Sequence, residues 1–239
     1  MDKQSHIIKF NLNDYEMNNL EYNDAIKLDK RAFIEYYISL LKKKHLILFA
    51  FIPINDYNLN SIKISLFWLS FSSYYATNGL FFDDKTMHIV YKDEKEYNII
   101  IQISIILYSS LISSTLNILL RVLALSEKNI LSIKKEKKIK NFLQKSKEVR
   151  KSLNIKFIIY FILGHIIVFF FWFFISCFCV IYINTSIILL KDTLISFGIS
   201  MLYPFGLNLF PAIFRIQALR AKKRNKEYLY LFSKYLALV

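Results

Sequence analysis

Apolar residues in this chain gather in long blocks, with the polar ones between them. Four blocks reach the ~20 residues that cross a ~30 Å hydrocarbon core. They fall at about 62–82, 99–120, 157–180 and 193–214, and the third holds the run IIVFFFWFFISCFCVIYI. This pattern predicts an all-α integral membrane protein with four transmembrane helices. Lys63 sits at the edge of the first block, where its ammonium is expected to snorkel toward water. The stretch HLILFAFI, 45–52, is too short to span. Pro53 and a polar NDYNLN follow it, so it is expected at the interface or as a shallow buried segment.

Outside the blocks the apolar spacing becomes helical and one-sided. In YNDAIKLDKRAFIEYYISLLKKK, residues Tyr22, Ile26, Phe33, Tyr37 and Leu41 recur near helical spacing. Asn23 or Asp24 is the expected cap, and Lys42, Lys43 and Lys44 suit the C-terminal dipole. Such a helix either lies on the inner leaflet or packs on the protein's own cytoplasmic parts. The chain therefore divides into an amphipathic N-terminal segment, 1–61, a four-span domain, 62–214, and a basic tail, 215–239.

Composition supports the membrane reading. The 239 residues are 55% hydrophobic with only 4 Gly and 3 Pro, which favours long helices over turns. Part of the +14 net charge reflects a Lys-, Asn- and Ile-rich composition of the kind an AT-rich genome gives, so its distribution is weighed more than its total. The loop 122–156 carries 11 Lys/Arg against 3 acids, and the tail from Arg215 carries 7 against 1. The connections 83–97 and 182–192 carry no basic excess. By the positive-inside rule, both termini and the basic loop are expected in the cytoplasm. The N-terminus has no apolar core or cleavage site, so a cleavable signal peptide is not expected. Asn184-Thr185-Ser186 is a glycosylation sequon in the second outer connection.

The basic loop also reads as helical, with Ile139, Phe142, Leu143, Val149 and Leu153 forming a partial stripe. Lys134, Lys135, Lys137, Lys138 and Lys140 are the expected contacts for anionic lipid. A calmodulin-like partner and a solvated extension of the third span are the competing readings.

Polar residues inside spans are the default functional suspects. In the second span Gln102, Ser109, Ser113, Asn117 and Arg121 fall within about 120° of arc, and Ser110 and Ser114 widen the stripe. The first span carries a small-residue face of Ser65, Ser72, Ala76 and Gly79. Small and hydroxyl residues allow helices to approach and hydrogen-bond, so a packing seam is weighed against a water-filled path. Asn117, His165 and Asn208 fall at similar depth and are expected to share hydrogen bonds. A single His with no acidic partner makes a poor proton relay.

The fourth block contains MLYPFGLNLFPAIF. Pro204 and Pro211, with Gly198 and Gly206 nearby, predict a kink or a hinge. Asn208 is placed to satisfy a freed carbonyl. Cys177 and Cys179, two residues apart, point to different helix faces, which disfavours a disulfide or a zinc site. Asp83, Asp84 and His88 form an incomplete cation set. No phosphate loop, GxSxG, HExxH or CxxC pair occurs. No cofactor, nucleic acid or catalytic activity is expected.

Several stretches carry a resemblance. They are NDYEMNNLEYNDAIKLDKRAFIEYYISLLKKKH, FFDDKTMHIVY, LSEKNILSIK and YPFGLNLFP. Together they resemble a large uncharacterised family of multi-pass membrane proteins from protists, notably ciliates, over nearly the whole chain. In that family the block often forms the C-terminal membrane part of a longer chain. The resemblance implies a multi-pass fold and no particular activity. The expected role is a membrane anchor or assembly module that contacts other membrane proteins, itself or anionic lipid. The alternative is a subunit of an oligomeric channel or transporter.

Overall fold

The computed structural model describes residues 12–81, 99–134, 139–183, 186–220 and 226–237. Among these residues helix is the only regular secondary structure. It forms two compact units, one of Met1–Tyr57 with Pro204–Val239 and one of Asn58–Tyr203. The two ends of the chain thus belong to one unit, which the three-part division of the sequence did not anticipate.

In the first unit, α1 (Asp14–Asn18) starts with a full capping box between Asn13 and Glu16. Next come α2 (Tyr22–Leu28), α3 (Phe33–Lys44) and α4 (Leu46–Phe51). The single helix expected over 22–44 is therefore two helices. Residue 21, not Asn23 or Asp24, precedes α2, and both of those residues lie within it. Asp29 and Ala32 are extended. The Ala32 N–H donates to the Glu35 carboxylate at 2.7 Å, which starts the second helix. α4 lies within the short block HLILFAFI, with Leu46, Phe49 and Ala50 buried and Ile47 and Phe51 exposed.

The second unit contains α5 (Asn60–Leu80), α6 (Ile99–Ala124), α7 (Glu127–Lys134), α8 (Ile139–Ile181) and α9 (Ser186–Ser200). α5 lies at its centre, against α6, α8 and α9. Side-chain pairs fix the directions. Ser65 meets Tyr160 and Gly79 faces Phe174, so α5 and α8 run parallel. Ser70 meets Ser113 and Asn78 meets Ser109, so α6 runs antiparallel to α5. Phe71 meets Phe197 and Asn78 meets Thr193, so α9 also runs antiparallel to α5.

Three helical segments are long and apolar enough to cross a membrane: Ile103–Lys134, Phe142–Ile181 and Ser186–Arg220. α5 is not one of them, for a visible reason. Its polar side chains Lys63, Ser70, Ser72, Ser73, Thr77 and Asn78 are buried against the other helices. Lys63 is 1% exposed, so it does not snorkel as its position in the sequence predicted.

The fourth apolar block is broken in two places. α9 ends at Ser200, α10 covers Tyr203–Leu207 and α11 covers Leu209–Arg220. Each proline falls in the first turn of a short helix, where the missing N–H has no helical partner to lose. The prolines thus follow the two breaks in the block for which the sequence predicts a kink or a hinge, and the Asn208 and Ala212 N–H groups still donate to the Pro204 and Asn208 carbonyls across the second break.

Candidate functional site

In the Asn58–Tyr203 unit the polar stripe of α6 is a seam facing α5. Ser109 is fully buried, and its hydroxyl donates to Asn78 Oδ1 at 3.4 Å. The Ser113 hydroxyl donates to the Ser70 carbonyl at 3.4 Å. Ser114 lies 3.4 Å from the Tyr203 hydroxyl. Asn117 is half-buried with no hydrogen-bond partner for Oδ1 among the described residues. Arg121 is half-buried near the end of α6. The side chain of Gln102 lies outside the described residues.

The small face of α5 meets α8 instead. Ser65 accepts a hydrogen bond from the Tyr160 hydroxyl at 2.9 Å. A Cβ on Gly79 would sit 2.6 Å from Phe174 Cε1, so a larger residue there obliges the Phe174 ring to shift. Gly164 meets Leu69 in the same way, more loosely at 3.3 Å.

The centre of the seam is a cluster that the apolar pattern did not disclose. Asn78, fully buried, donates through Nδ2 to Asp192 Oδ2 at 3.0 Å and to Thr193 Oγ1 at 2.9 Å. The Ser196 hydroxyl lies 3.5 Å from Asp192 Oδ2. Asp192 is 4% exposed, and Thr193 and Ser196 are fully buried. One amide therefore joins α5, α6 and α9 through a carboxylate and three hydroxyls. Sequence reading placed Asp192 in an outer connection, since the apolar block begins at Thr193. The available signal was its spacing of four residues from Ser196 on one helix face.

The expected group of Asn117, His165 and Asn208 is not brought together by hydrogen bonds among the described residues. His165 is exposed, and its Nδ1 lies 2.6 Å from the Phe161 carbonyl of its own helix. Asn208 belongs to the other unit and donates to the Pro204 carbonyl at 2.7 Å. That bond is the local satisfaction its position implied. Gly206, like Gly198, has nothing within 4 Å of a Cβ built on it.

In the unit of the two chain ends, Arg215 is the organising residue. It is fully buried on α11. Its guanidinium donates to Asp29 Oδ2 through Nη2 at 2.8 Å and through Nε at 3.2 Å. It also donates to the Met17 carbonyl at 2.8 Å and the Asn18 carbonyl at 3.3 Å. The Tyr36 and Tyr230 rings lie 4.7 and 4.8 Å from its central carbon. Arg31 approaches Asp29 through Nε to Oδ1 at 2.8 Å and Nη2 to Oδ2 at 2.9 Å. It reaches Asn18 and Ser39 as well.

Burial alone would raise the Asp29 carboxyl's pKa. The two guanidinium groups outweigh that effect and hold it below the ordinary carboxylate range. Burial raises Tyr36 and Tyr230 above the usual phenol range, and Arg215 opposes it only in part. Every group in this centre is directed at another group of the same unit. The arrangement fastens α1, α2, α3, α11 and α12 (Glu227–Leu236) together.

Basic residues outside the spans form an arm. α7 lies against α8, and Lys156 donates to Asn129 Oδ1 at 3.4 Å. α8 then runs unbroken through 43 residues, about 65 Å at helical rise. Lys134 is exposed at the end of α7. Lys135, Lys137 and Lys138 lie outside the described residues, as do Asn184 and the Asp83, Asp84 and His88 group. Lys140 lies in the first turn of α8, with its side chain outside the described set. Cys177 and Cys179 are free and exposed. Among the described residues no three His, Cys, Asp or Glu side chains form a metal-binding group. The chain matches no family model, no curated protein and no solved structure.

Proposed function

We propose that the chain is a four-span, non-catalytic membrane anchor or assembly module with a basic cytoplasmic arm. The observation that carries this reading is α8. One continuous helix leaves Phe169, Trp172, Phe173 and Val180 exposed in its apolar part and Lys147, Arg150 and Lys151 exposed in its basic part. Such a helix serves lipid or partner spans at one end and an acidic surface at the other. The hydrogen-bonded polar groups around Asn78 and Arg215, by contrast, hold helices together.

The fourth span is α5. It is 21 residues long, about 31 Å. It keeps register with α8 from Ser65 to Gly79, so a bilayer that contains α8 along that length contains α5 too. Its polarity suits an inner helix that neighbours screen from lipid. With the charge distribution, this supports a topology that has both termini and the arm on the cytoplasmic side. Membership of the protist family rests on the sequence motifs alone.

The arm sorts its partners by height. Residues 139–156 extend about 27 Å beyond the third apolar block. Even tilted by 40°, its tip stays roughly 20 Å away, about twice the Debye length. Lys151 and Lys156 are then the residues for anionic lipid. Lys134, at the end of α7, and Lys140, in the first turn of α8, are those for an acidic partner protein.

A second reading, a subunit of an oligomeric channel or transporter, is favoured by Asp192. A buried carboxylate within an apolar segment is an expected feature of an ion or proton path. The test is native mass in mild detergent with cross-linking and partner identification. A large particle of fixed composition supports the assembly module. A small homo-oligomer whose ion flux in liposomes is abolished by Asp192→Asn would replace it with the second reading.

A further inference from the structure

We infer that α12 is an interfacial helix, which lays Tyr228, Leu231, Phe232 and Tyr235 into the cytoplasmic leaflet of the membrane that the chain spans. The inference rests on the membrane reading above. These four residues recur at i, i+3, i+4 and i+7, the period of one helix face. They are 67%, 54%, 48% and 67% exposed, while Tyr230 and Ser233 on the opposite face are fully buried. The helix is therefore seated on its unit by one face and presents an aromatic-rich stripe on the other.

Three observations select a lipid surface as the occupant. First, α12 folds back along α11: Phe232 meets Phe214 at 5.4 Å between ring centroids, and Tyr230 packs with Ala218. α11 is the end of the apolar segment Ser186–Arg220, so a helix running back along it returns toward the bilayer. Second, the sequence between them carries Arg220, Lys222, Lys223, Arg224 and Lys226 without an acid, a charge that complements anionic headgroups. Third, the stripe combines two tyrosines with Leu and Phe, and tyrosine is enriched where apolar rings meet headgroups. A pair of such stripes would bury about 1,000 Å², below the range of stable, specific dimers.

The test uses spin labels on the full chain with Cys177 and Cys179 replaced by serine, in nanodiscs of phosphatidylcholine and phosphatidylserine. Labels are placed singly at Leu231→Cys, Lys147→Cys and Phe169→Cys. Collisions with dissolved oxygen and with a water-soluble nickel chelate are compared. The inference predicts oxygen-dominated relaxation at 231, as at 169, and nickel-dominated relaxation at 147. Nickel-dominated relaxation at 231 would overturn it, and so would protection from both reagents, which means a protein cover. If 169 is oxygen-dominated while 231 is not, only this inference fails. If 169 is itself nickel-dominated, the membrane reading fails and this inference with it.

Discussion

Replacing Arg215 with alanine tests the unit of the two chain ends most sharply. Arg215 is fully buried and donates to Asp29, Met17 and Asn18 between two tyrosine rings. Removing one partner of a buried ion pair costs about 3–5 kcal/mol. Arg31 remains bound to Asp29 and softens the loss of charge balance. The Met17 and Asn18 carbonyls lose charge-assisted bonds, which adds to the cost. The expected loss is about 3 kcal/mol, or a roughly hundredfold rise in opening of this unit. Hydrogen exchange of the detergent-solubilised chain reads it directly: amides of α2, α3 and α12 should lose protection together. Trp68 and Trp172 both belong to the other unit, so tryptophan emission should not change. Arg215→Lys should recover little, because a lysine cannot bridge the carboxylate and the carbonyls while stacked between rings. Unchanged protection in α12 after Arg215→Ala would refute the reasoning.

Three further outcomes follow from the same geometry. Asp29 has a folded pKa below its unfolded value, so its contribution is complete above the ordinary carboxylate range. That contribution is lost as pH falls through the folded value, and exchange protection of α2 and α12 should decline in acid, with the decline blunted in Asp29→Asn. Gly79→Ala places a Cβ against Phe174 and should cost about 1–3 kcal/mol, whereas Gly198→Ala, with open space around it, should be neutral in a thermal melt. Asn78→Leu removes the donor to Asp192 and Thr193 and should lower stability of the helix seam by about 1–3 kcal/mol, read as a lower melting temperature followed by tryptophan emission.

The lipid-facing helices were legible because they are apolar on nearly all sides. The third apolar block reappears within α8, most of whose apolar side chains are exposed. α5 was legible as a long helical block, but its hydropathy is lowered by the serines, Thr77 and Asn78 that it buries. The partnership of Asp29 with Arg215 was not legible. The residues lie 186 positions apart, and local periodicity carries no information about such pairs. In the sequence Arg215 counts as one more positive-inside charge, yet the structure makes it a core residue. The break between α2 and α3 has a related cause. Asp29 is extended, with its carboxylate engaged by both guanidiniums, and the apolar spacing on either side runs through that break unaltered. Asp192 was hidden at the edge of a block, where one charged residue shifts the apparent boundary.

The central claim is that α5 crosses the membrane beside α8, which gives four spans. It is tested most directly by the sidedness of three insertions in the full chain. A small epitope is placed at position 90, at position 136 or at the C-terminus, and its access to a membrane-impermeant reagent is measured in sealed vesicles. The account predicts that 136 and the C-terminus share one side and that 90 lies on the other. If 90 lies on the same side as 136, α5 does not cross and the four-span account is wrong.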